Sequence, residues 1–138
     1  TMTMPTTIRL TMAMILISHN LGVISQNVKD VIVMYGGTRV ESGPTHDVFT
    51  DLSHPYSQGL FSAVPQIDDT KASRRRLTTI PGTVPELADL PAGCTFQGRC
   101  TYVTDDCRPT PPPVVQVADG HSVACLHIEA ARTAWANR

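Results

Sequence analysis

Four cysteines fall in the last third of a 138-residue chain as Cys94-x5-Cys100-x6-Cys107-x17-Cys125, and there are no others. Thiolates gathered in this way serve a metal site, an iron–sulfur cluster or a pair of disulfides. The stretch that carries them is poor in apolar residues and is broken by Gly93, Gly98, Pro109 and Pro111 to Pro113. The expectation is that a cross-link or an inorganic centre, rather than hydrophobic burial, orders it. Four soft donors without histidine suit iron–sulfur or zinc, although x5 and x6 are looser than the C-x2-4-C pairs of structural zinc sites. His121 and His127 flank Cys125. Because four thiolates already complete a tetrahedral set, both are expected beside the ligands or on the surface. Arg99, next to Cys100, either balances thiolate charge or faces water. A second candidate is His19, placed at the end of a predicted central strand, where α/β sheets set their ligand-contacting groups.

Composition narrows the choices. The formal charge is -1 with histidine neutral, so no electrostatic case exists for a nucleic-acid partner. The one basic cluster, Lys71 with Arg74, Arg75 and Arg76, reads as a solvated linker. The longest clearly apolar run, Met12 to Ile17, is far short of the roughly 20 residues that cross a bilayer. Arg9 ahead of that run has the look of a signal peptide, but no small-x-small cleavage site follows. A reducing compartment is therefore expected, which argues for ligation over disulfides.

The elements that must position these groups are few. Residues 1–11, rich in Thr-Met, form an atypical N-terminal segment. Met12 to Ile17, a short continuous apolar run, reads as a strand buried on both faces. Leu21, Ile24 and Val28 make a helical stripe as far as about Lys29. Val31 to Tyr35 and Thr38 to Glu41 flank Gly36-Gly37, a two-residue hairpin turn, and Ser42-Gly43-Pro44 is expected to stop the return strand. Thr45 is a candidate N-cap for a short helix through Phe49. Ser53 is a candidate cap for a second, with Pro55 in its first turn and Leu60, Phe61 and Val64 on its buried side. From Pro65 onward no long periodic segment is expected until a helix over Glu129 to Trp135. The set is too small for a complete parallel sheet.

The string Ile15 to Val23, followed by Val31 to Gly43, resembles the switch-histidine loop and following strands of an ABC-transporter ATPase domain. His54-Pro55-Tyr56, Ile80 to Pro85 and Leu90 to Cys100 resemble one branch of it, the ATP-binding subunits of oligopeptide and dipeptide importers. Those proteins carry a C-terminal extension with an HPY motif and four cysteines. The resemblance spans about Met12 to Cys125. It implies an α/β fragment of an ABC ATPase, a P-loop NTPase, over residues 12–65, and an irregular cysteine-cluster extension over 66–138. It implies that His19 donates a hydrogen bond to a nucleotide γ-phosphate and orients the attacking water. It also implies a [4Fe–4S] cluster on Cys94, Cys100, Cys107 and Cys125, with zinc as the alternative. His54 and Tyr56 are expected to serve in helix-start packing and turn formation.

The 138 residues hold no Gly-x4-Gly-Lys-Ser/Thr loop and no Leu-Ser-Gly-Gly-Gln-like signature. The first acidic residue is Asp30, so no apolar strand ending in Asp-Glu precedes His19. The expectation is therefore a C-terminal portion that binds no ATP or Mg2+ alone. Its parent would couple ATP hydrolysis to peptide import, paired with a second ATPase subunit on transmembrane permeases at the cytoplasmic face of the membrane. The rivals are a free-standing four-cysteine binding or scaffold module and a secreted disulfide-stapled domain.

Overall fold

A computed structural model describes residues 12–64 and 79–137. The basic cluster Lys71 to Arg76 and the segment 1–11 lie outside the described residues. Helix α1 (Leu21–Asn27) begins where the Asn20 side chain accepts from the backbone N–H groups of Gly22 and Val23, offsetting two donors that a helix start leaves without partners. Strand β1 (Asp30–Tyr35) alternates, with Val31, Val33 and Tyr35 buried and Ile32 and Met34 exposed. Gly36 and Gly37, at φ of 54° and 74°, turn it antiparallel onto β2 (Thr38–Pro44). Two consecutive positive φ values are what the favoured hairpin turn requires.

The return strand does not stop at Ser42. It continues to Pro44 because β2 is an interior strand, paired with β1 on one side and β4 (His121–Ala124) on the other. Gly43 permits this approach, since a Cβ there would stand 3.0 Å from Gly120 O and from His121 Cα. Strand β3 (Val114–Ala118) pairs with β4 through an Asp119-Gly120 loop, and the four-stranded antiparallel order is β1-β2-β4-β3. The extension is therefore less irregular than its proline and glycine content predicts: two of its segments complete the sheet.

Helix α2 (Thr45–Thr50) starts one residue earlier than expected. Pro44 holds the cap position and Thr45 is already helical, its N–H donating to Lys29 O at 2.8 Å. Helix α3 (Pro55–Ser62) is capped by His54 rather than Ser53, with Nδ1 accepting from Tyr56 N. Its most buried residues are Pro55, Ser57 and Gln58, while Leu60 and Phe61 are half-buried and pack against two different cores. The predicted C-terminal helix is α4 (Ile128–Ala136).

Met12 to Ile17 is not a buried strand. Met12, Ile15 and Ile17 are 85%, 91% and 93% exposed, and no strand is assigned there. An apolar run needs partner strands on both sides to be buried, and the described residues supply none. Only Leu16 reaches the core of Ile24, Val31, Val48 and Leu52, which Trp135 of α4 also joins. A second core gathers Val33, Tyr35, Val40 and Phe96, and a third Val123, Cys125 and Ile128. Phe96, 3% exposed, shows that hydrophobic burial does order part of the cysteine-bearing stretch. Its ring stands 5.0 Å from that of Tyr35 and 5.4 Å from that of Tyr56, within the range of favourable aromatic pairs.

Candidate functional site

All four cysteines line one small cavity of about 10 Å³, together with His54, Phe96, Gln97 and His127. Cys94 and Cys100 bracket a 3-10 turn, Gln97–Arg99; Cys107 ends a second, Asp105–Cys107; Cys125 lies between β4 and α4. Short 3-10 turns reverse the chain within a few residues, which is how a sequence without a long element converges four side chains. The two turns are tied by Cys94 N donating to Cys107 O at 2.8 Å. Gly93 permits this contact: a Cβ there would lie 2.2 Å from Cys107 O.

Each sulfur has a polar partner. The backbone N–H groups of Phe96 and Gln97 face Cys94. Tyr102 N donates to Cys100 Sγ at 3.4 Å and His127 N to Cys125 Sγ at 3.3 Å, while the Thr104 hydroxyl lies 3.8 Å from Cys107 Sγ. Donors aimed at sulfur favour thiolate over thiol. Burial opposes them, raising the pKa of Cys94 and Cys100 and pushing Cys125 up to about 11. All four are free thiols. An all-sulfur set faced by N–H and hydroxyl groups, with burial raising the pKa of Cys94, Cys100 and Cys125, fits a guest that brings positive charge. Gln97 strengthens the fit, because its Nε2 is buried without a protein partner. As placed, no three His, Cys, Asp or Glu side chains among the described residues are grouped so as to hold a metal ion. The four cysteines thus share a cavity without forming such a group.

The flanking histidines separate. His127 does lie beside the cysteines, its Nε2 2.9 Å from Thr104 Oγ1. His121 does not: it is neither beside the cysteines nor on the surface. It is wholly buried, with Nε2 2.8 Å from Glu41 Oε1. Arg99 neither neutralises thiolates nor simply faces water. Its guanidinium donates to Pro81 O at 2.8 Å and Ile80 O at 3.0 Å, and lies 5.9 Å from the Tyr35 ring centroid. It thereby fastens the Ile80-Pro81-Gly82 segment over the second core. His19 is exposed and precedes α1 from a bend, not from the end of a strand.

The HPY residues are structural. His54 is 1% exposed, and burial lowers its pKa to about 4, so it caps α3 as a neutral ring. Tyr56 packs with its ring centroid 4.7 Å from that of Tyr35. Beneath them Glu41, absent from the residues that the sequence marks out, accepts from Ser53 N at 2.9 Å and His54 N at 3.2 Å.

The hairpin continues through α2 into a histidine-capped HPY helix and is closed by a cysteine-bearing extension. Residues 40–107 match the family model of the oligopeptide/dipeptide transporter C-terminal region, and that stretch of the chain belongs to the family. It is 42% identical over 118 residues to provisionally named peptide import ATP-binding proteins of Brucella ovis and Brucella abortus, covering 83% of this chain and 35% of each relative. A further protein of that name, from Brucella melitensis, is 42% identical over 116 residues, covering 84% of this chain and 34% of the relative. The chain thus spans about a third of the length of the curated relatives it matches. No helix among the described residues is long and apolar enough to cross a membrane.

Proposed function

We propose that this chain is the C-terminal portion of the ATP-binding subunit of an ABC importer for peptides. The observation that carries the reading is the match of residues 40–107, which hold the HPY helix and Cys94, Cys100 and Cys107, to the oligopeptide/dipeptide transporter C-terminal region, beside 42% identity to peptide import ATP-binding proteins over 83% of the chain. In the intact subunit His19 donates a hydrogen bond to the γ-phosphate of Mg-ATP and orients the attacking water, while the rest of the subunit supplies the phosphate loop, the magnesium-holding Asp and the general base. A second ATPase subunit and transmembrane permeases complete the transporter at the cytoplasmic face of the membrane. The extension from about residue 66 braces the ATPase tail through β4 and α4. The 138 residues on their own hydrolyse no ATP, since they hold no glycine-rich nest for a triphosphate.

The test is His19→Ala in the assembled transporter. An interaction made mainly in the transition state lowers kcat and leaves nucleotide affinity nearly unchanged. Undiminished ATP turnover overturns the role of His19. Saturable binding of Mg-ATP to the 138-residue chain overturns the reading of it as a portion without a nucleotide site, and favours the free-standing four-cysteine module.

A second reading concerns the extension. The four thiols around one cavity support an all-thiolate inorganic centre on Cys94, Cys100, Cys107 and Cys125. A [4Fe–4S] cluster is the favoured occupant, as the family resemblance implies, with zinc as the alternative. Such a centre would supply a cross-link between the two 3-10 turns and the β4–α4 junction. Elemental analysis of anaerobically purified protein tests it: iron with inorganic sulfide supports the cluster, zinc the alternative, and neither metal removes the centre.

A further inference from the structure

Gln97 is the polar side chain at the thiol cavity that the surrounding hydrogen bonds leave over. Its backbone is already committed: the N–H donates to Cys94 O at 3.1 Å and also faces the Cys94 sulfur. Gln97 lines the same cavity as the four cysteines, and its side-chain Nε2 is buried without a protein partner. Every cysteine, by contrast, already has its own N–H or hydroxyl neighbour. A buried amide donor with nothing to bond is unfavourable, and nothing else about Gln97 offsets that. It is half-buried at the first position of a 3-10 turn that many polar residues would fit.

We propose that Gln97 is the side-chain hydrogen-bond donor to the sulfur of the inorganic centre held by Cys94, Cys100, Cys107 and Cys125. It is a positioning residue that sets how firmly and with what electronic character the centre is held. The proposal rests on the all-thiolate reading. Donors to sulfur draw electron density away from the metal–thiolate bond. Such partners govern both metal affinity and, in an iron–sulfur cluster, the ease of reduction. The turn between Cys94 and Cys100 supplies this donor, whereas the donor to Cys125 comes from the β4–α4 junction.

The experiment compares the full chain with its Gln97→Leu and Gln97→Glu variants, each purified anaerobically with iron and sulfide or loaded with cobalt(II) as a probe of thiolate ligation. Leucine removes the donor and keeps the bulk; glutamate keeps the shape and, when ionised, has no proton to give. Both variants are expected to load the wild-type amount of metal. Both should surrender it to a chelator with about 10-fold weaker apparent affinity and show a shifted thiolate-to-metal charge-transfer band. A general structural role for Gln97 would not move that band. If one variant fails to fold, as judged by circular dichroism of the metal-stripped chain, the other decides. If the wild type loads metal and both variants match it in band and affinity, the assignment of Gln97 is overturned while the centre stands. If the wild type takes neither iron nor cobalt, the all-thiolate reading itself falls, and this inference with it.

Discussion

Glu41 and His121, 80 residues apart in sequence, meet with both side chains fully buried and Nε2 2.8 Å from Oε1. At that separation the carboxyl oxygen and the ring nitrogen share one hydrogen bond. The same carboxylate accepts from Ser53 N and His54 N. One buried side chain on β2 thus fastens the start of the HPY helix and the first residue of β4. That contact joins the β1–β2 hairpin to the C-terminal extension.

Replacing Glu41 by alanine orphans two buried backbone donors and a buried imidazole together. Leaving a buried donor without its partner costs about 1–3 kcal/mol each, and the urea midpoint should fall accordingly. His121→Phe removes only the imidazole and should cost less. A double-mutant cycle measures their coupling; coupling near zero would mean that Glu41 acts through Ser53 and His54 alone.

The hairpin over β1 and β2 was legible because Gly36-Gly37 has a single low-cost geometry and the flanking residues are β-formers. The C-terminal hairpin carried a comparable signal, Asp119-Gly120 ahead of the alternating run His121 to Cys125, but the neighbouring prolines masked it. Met12 to Ile17 misled for a different reason. A fully apolar run states what a segment would bury against, not whether that surface is present. Glu41 was illegible because an acid on a strand ordinarily faces water, and its burial depends on three long-range partners. The cysteines could be named from spacing. Gln97 could not, since nothing in a sequence marks an amide that lacks a partner.

Acid should destabilise the chain through His54. Its folded pKa is lowered from 6.5 to about 4 by burial, so the neutral ring is favoured in the folded state. Stability from this residue is fully present above pH 6.5 and is lost as pH falls toward 4, because the unfolded chain takes up the proton first. The full effect is about 3 kcal/mol. In chelator-treated protein, His54→Asn retains a capping acceptor and should flatten the pH dependence of the urea midpoint across that window. An unchanged profile would show that other groups govern the acid limb.

Gly93→Ala should disturb the thiol cavity without touching a thiol. The added methyl would lie 2.2 Å from Cys107 O and 2.5 Å from Arg108 O, and backbone atoms do not rotate aside. The bond from Cys94 N to Cys107 O would have to open. The cost is about 1–3 kcal/mol for the forced shift. Metal uptake should weaken in parallel, since the same contact sets the Cys94–Cys107 separation. Wild-type metal affinity in this variant would mean that the two turns need not be in register to form the centre.

Cys125 offers the sharpest separation between packing and ligation. It sits among Val123 and Ile128 in the third core, at the junction of β4 and α4, far in sequence from the other three cysteines. Cys125→Ala keeps a small apolar side chain and removes only the sulfur; Cys125→Ser adds a hydroxyl to a buried site. If packing alone held the junction, alanine would be nearly neutral and serine costly. Ligation predicts instead that both variants lose the metal, and that amide protection in β3 and β4 falls to a similar degree in each. The order of events follows from where the energy resides: binding of the centre and ordering of the segment are one free energy. Elemental analysis beside hydrogen exchange reads both quantities on the same sample. Retention of a full metal complement by Cys125→Ala would reduce the site to three cysteines.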